Sequence, residues 1–62
     1  MTGPYLVGAG LWVAFVGTVR VDIERTHSKA WVWRARSVDE WGAARTVAAC
    51  AEDARRRLGR VA

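Results

Sequence analysis

One cysteine, one histidine, one proline and one lysine are present, and no charged side chain occurs before Arg20. Each scarcity excludes something. A lone Cys50 cannot close an intramolecular disulfide, and a single unpaired thiol suits a reducing compartment, so a cytoplasmic location is expected. With His27 as the only histidine there is no Cys/His set for a structural zinc. His27 beside Ser28 lacks the third, orienting group of a nucleophile–base arrangement. Gly8-Ala9-Gly10 has neither the further glycine nor the following helix of a phosphate-binding loop. Asp39-Glu40 and Glu52-Asp53 are neighbours on polar surfaces, with nothing to make them share a proton. The chain reads as non-enzymatic, with no cofactor and no metal.

What is present must build a core. Sixty-two residues make one domain at most, and a domain this small buries only about 60% of its unfolded surface. Four tryptophans supply a large apolar payload. Failing that, the chain needs a partner such as a second copy of itself. The net charge is +4, and Lys29 is the only basic residue besides the arginines. Arginine suits flat, bidentate contacts to phosphate or carboxylate. Its enrichment runs along the chain with that of Ala, Val and Gly, as high-GC coding produces. The charge thus permits duplex DNA or an anionic membrane as partner without demanding either.

The charge-free stretch, residues 2–19, admits two readings. As a helix it would span about 27 Å, just enough to cross a bilayer with a basic tail behind it. A signal peptide fits poorly, because no basic region precedes the apolar stretch. Against a span, Gly3, Pro4, Gly8, Gly10 and Gly17 interrupt the stretch, and its longest unbroken apolar run is residues 11–16. Treating Gly17-Thr18 as a two-residue hairpin loop is more productive, since glycine suits the positive φ of such a turn. Val16 then opposes Val19, Ala14 opposes Val21, and Trp12 opposes Ile23. The alternating run Ala30-Trp31-Val32-Trp33-Arg34-Ala35-Arg36 extends the sheet. Pairing Glu24 with Ala30 places Trp31 by Ile23, Trp33 by Val21 and Ala35 by Val19. One face is then wholly apolar, and a one-residue slip in either pairing would destroy it. The strand reading is preferred, and a single-span membrane microprotein is the third functional alternative.

Val47, Cys50, Ala51, Ala54 and Leu58 form a single stripe at helical spacing, with Glu52, Asp53, Arg55 and Arg56 opposite. Thr46 is placed as an N-cap and Gly59 as a C′ glycine. Ser37-Val38-Asp39-Glu40 also has capping-box form, so a start near 38 competes with one near 46; the later start is preferred, with residues 37–45 as a turn or link. The alanine-rich stripe complements a tryptophan-bearing sheet. The expected fold is α+β: a three-stranded antiparallel meander, about 11–16, 19–24 and 30–36, covered on one face by a helix at about 44–59. Residues 11–62 form the domain, and residues 1–10 are a segment that pairs with or packs on the sheet.

Trp31-x-Trp33, then Gly42-x-Ala44-x-Thr46 and the helix with Cys50 and Ala54, resembles small three-strand-plus-helix modules. These include the arm-binding N-terminal domains of tyrosine integrases and the plant AP2 domain. The resemblance covers roughly residues 11–59 and implies a DNA-binding sheet face.

Two surfaces are candidates for function. Arg20, Arg34 and Arg36 form a row on the uncovered sheet face that could enter a major groove, although Asp22 and Glu24 sit among them. Arg55, Arg56 and Arg57, with Arg60, either complement the helix dipole or clamp backbone phosphates. The same sheet face offers Leu11, Val13, Phe15 and Val32 as an apolar patch that needs a cover. That cover is either the folded-back segment Tyr5-Leu6-Val7 or a second molecule, giving a homodimer or a protein complex. The leading expectation is a small DNA-binding or regulatory accessory protein of the kind phages and mobile elements encode. A protein-interaction module, acting as adaptor or inhibitor, is the alternative.

Overall fold

The structure is a computed structural model that describes residues 2–27 and 29–59. Ser28 and Arg60 lie outside the described residues, as does the side chain of His27. The described chain forms β1 (Thr2–Gly8), β2 (Leu11–Val16), β3 (Val19–His27), β4 (Ala30–Ala35), a 3₁₀ turn (Arg36–Val38), β5 (Glu40–Ala44) and α1 (Val47–Leu58). The strands make one antiparallel sheet in sequential order. The helix packs on one side of it, chiefly against β4 and β5.

The β2–β3 hairpin follows from alternation and one glycine. Gly17 has φ 61, the positive value the tight loop requires. The register pairs Val16 with Val19, Ala14 with Val21 and Trp12 with Ile23, putting apolar residues together on the helix side. Ala14, Val16, Val19, Val21, Ile23, Trp33 and Ala35 meet Cys50, Ala51, Ala54 and Leu58 in one buried cluster. Small helix residues let α1 sit close to the Trp33 ring, which is fully buried. Thr46 caps the helix, its Oγ1 accepting from the Ala49 N–H at 3.0 Å. Gly59 closes the other end in a right-handed conformation, its N–H donating to the Arg55 carbonyl at 2.9 Å.

Several expectations are corrected. The sheet has five strands, not three. Thr2–Gly8 pairs with β2, with two register irregularities. The residues expected to form a link to the helix instead contain β5, paired along β4 from Ala35–Glu40 to Trp31–Ala44. Strand β5 can pair here because Gly42 lies opposite Trp33, where any side chain would collide with the indole. The helix starts at Val47, directly after the expected Thr46 cap and within the outer bound of about 44. Between β3 and β4 the register is shifted by two residues from the expected one, so Ile23 faces Trp33 and Arg25 faces Trp31. The shift is even, so both faces keep their residues. An irregularity between Arg25 and His27 absorbs it, and the Arg25 guanidinium lies 5.1 Å from the Trp31 ring centroid. No helix of the described residues is long and apolar enough to cross a membrane. The stretch once readable as a span is β1, its turn and β2.

Candidate functional site on the open sheet face

Alternation that buries one face of the sheet exposes the other. Its middle row, read across the strands, is Tyr5, Val13, Asp22, Arg34 and Trp41. The row on one side is Gly8, Leu11, Glu24, Val32 and Ala43; on the other side Thr2, Phe15 and Arg20 align. Every sheet residue singled out for function, apart from Arg36 in the 3₁₀ turn, therefore lies on this face. Leu11 and Val32 are half-buried, Val13 is buried beside the β1 strand, and Phe15 is exposed.

The charges of the face are interleaved. The Arg20 Nε donates to Asp22 Oδ1 at 2.9 Å. Arg34 lies directly across from Asp22 in register, yet no ion pair among the described residues involves Arg34 or Arg36. Asp22, Glu24, Arg25, Thr26, Val32 and Arg34 line an open hollow of about 260 Å³. It is open to solvent rather than enclosed, so the face offers a surface rather than a closed pocket. A second shallow depression lies between Arg20, Asp22, Arg36 and Ser37.

The helix arginines occupy the other layer and do not join this surface. Arg55 holds Glu52 through two hydrogen bonds, one of 3.1 Å from its Nε, and this pairing pulls the Glu52 carboxyl below its ordinary range. Arg57 spans α1 and β5. It lies 3.5 Å from Asp53 Oδ1, donates to the Trp41 carbonyl at 3.1 Å, and its guanidinium sits 5.9 Å from the Trp33 ring centroid. Arg56 is exposed. The six arginines considered for nucleic acid thus divide between two sides of the molecule, and Arg57 is engaged in holding β5.

Two aromatics stand exposed on the open face: Tyr5, from the segment expected to fold back and here paired across from Val13, and Trp41, which escaped the sequence reading. Tyr5 is 54% exposed and Trp41 63% exposed. Trp41 was readable only through β5: once Gly42 is a core position, its neighbour must point outward. The sheet edges, by contrast, are blunted. β1 carries Pro4 and two irregularities, and the Trp41 carbonyl on β5 is engaged by Arg57.

Cys50 is sealed in the core, its Sγ donating to the Trp31 carbonyl at 3.5 Å, and burial pushes its thiol up. Among the described residues no group of three or more His, Cys, Asp or Glu could hold a metal ion. Comparison with protein-family models, with curated proteins and with solved structures finds no match to this chain.

Proposed function

We propose that this protein is a small non-enzymatic interaction module that binds another polypeptide through the open face of its sheet. The observation that carries the reading is the make-up of that face. Tyr5, Phe15 and Trp41 stand exposed around a centre in which Arg20 and Arg34 are balanced by Asp22 and Glu24. Aromatic side chains and arginine are the residues enriched at protein interfaces, whereas a phosphate-binding face needs unopposed cations. Blunted edges favour docking on the face over addition of a strand. Such a module acts as an adaptor or inhibitor, and its free thiol suits a cytoplasmic setting.

A photo-crosslinking amino acid at Phe15 tests this in cells. Covalent adducts with polypeptide are expected there and not at Arg56 on the helix; adducts to nucleic acid, or none at Phe15, would overturn the reading.

Duplex DNA is the competing partner, supported by the absence of ion pairs at Arg34 and Arg36 among the described residues and by the position of Trp41 beside Arg34. Fluorescence anisotropy with a labelled duplex at two salt concentrations decides between them. Saturable binding that weakens steeply with salt would move the assignment to DNA.

A further inference from the structure

Resting on the protein-binding reading above, we infer that the polypeptide seated on the open face is a second copy of this chain. From β2 to β5 the middle row reads Val13, Asp22, Arg34, Trp41: apolar, negative, positive, apolar. Reversed, it becomes apolar, positive, negative, apolar, which is its own electrostatic complement. A two-fold axis parallel to the strands, between β3 and β4, makes that reversal while turning one face onto the other. Asp22 then faces Arg34 of the second copy, and Arg34 faces its Asp22. The Trp41 ring of each copy comes over the Val13 position of the other, where Val13 itself is buried and the Tyr5, Leu11 and Phe15 side chains around it make the apolar patch.

Three observations support this occupant. Arg34 sits across from Asp22 within the chain yet forms no ion pair within the described residues, which leaves it for a partner. Arg20 takes Asp22 Oδ1, so Oδ2 remains for an incoming guanidinium. The blunted edges direct association to the face. In one adjoining row Leu11 meets Ala43 and Glu24 comes over Val32; on the other side Arg20, already held by Asp22, comes toward the Arg36 turn of the second copy, the least favourable contact of the arrangement. With Cα extents of 31 × 19 × 17 Å, the broadest face offers on the order of 600 Å² per copy, somewhat below the about 800 Å² per partner of a standard interface. Association is therefore concentration-dependent.

Sedimentation of Arg34→Glu and Asp22→Arg, separately and mixed, tests the inference. The unmodified chain is expected to sediment as a dimer at high concentration. Each variant alone faces two like-charge pairs and should sediment as a monomer, with thermal melts reporting that it is folded. Mixed in equal amounts, the two variants recreate both attractive pairs, and the dimer should return. A chain that stays monomeric up to about 1 mM, the limit of weak specific association, overturns the inference. So does a mixture that stays monomeric, or single variants that remain dimers. If the chain is monomeric while crosslinking at Phe15 still captures a different polypeptide, the second copy is excluded and the protein-binding reading stands. A monomer with no polypeptide adduct removes both.

Discussion

At Gly42 three elements meet in the space of one absent side chain. A Cβ built there would run into Trp33 Nε1 and lie 2.6 Å from Asp53 Oδ2. Its absence lets the Trp33 indole N–H reach Asp53 Oδ2 at 2.9 Å across the β5 backbone, tying sheet core to helix. Asp53 in turn pairs with Arg57, which holds the Trp41 carbonyl. Gly42→Ala should therefore cost about 2–3 kcal/mol, combining overpacking with a weakened buried hydrogen bond. Urea denaturation measures it. In an Asp53→Ala background the same substitution should cost at least about 0.5 kcal/mol less, because one of the two obstructed groups is gone. An undiminished cost would place the whole effect on Trp33.

Among the elements, α1 has an N-terminus capped by one side-chain bond, from the Ala49 N–H to Thr46 Oγ1, beside the backbone bond from the Cys50 N–H to the Thr46 carbonyl. Thr46→Ala should lower stability by about 1 kcal/mol, shifting the urea midpoint without changing the slope, while Thr46→Ser stays close to the parent. This helix was legible in the sequence because its cap and apolar stripe are local signals. So was the β2–β3 pairing, where Gly17 and strict alternation leave one register. Strand β5 was not legible, since Glu40, Gly42, Ala43 and Ala44 are weak strand formers whose conformation is imposed by Trp33 and α1. Strand β1 was obscured by Gly3, Pro4 and Gly8, which punctuate a strand that tolerates them only at an edge. For β3–β4, alternation fixes which residues share a face but not an even slide along the strand, and the irregularity after Arg25 decided it. The candidate site inherits these limits. Leu11, Val13, Phe15, Val32, Arg20 and Arg34 could be assigned to one face from alternation, whereas Trp41 required a strand that the sequence hides.

For the whole molecule, stability should depend on pH through a group sealed far from the surface. Burial raises the Cys50 thiol in the folded chain above its value in the unfolded one. The unfolded thiol releases its proton near pH 8.5 while the folded one retains it. Stability is thus fully present below about pH 8.5 and declines as pH rises toward the folded thiol's own range, because the unfolded state then binds fewer protons. Denaturation curves at pH 7 and at pH 9–10 should show the decline, and Cys50→Ala should lessen the pH dependence even if it lowers the absolute value.

The same architecture sorts the four tryptophans by environment: Trp33 fully enclosed, Trp12 and Trp31 half-covered, and Trp41 63% exposed on the open face. In optical terms, the protein carries its own label on the open face. A soluble quencher reaches Trp41 first in the free chain. Under the proposed binding, that emission should shift to the blue and become shielded, while the enclosed Trp33 goes on reporting whether the fold is intact.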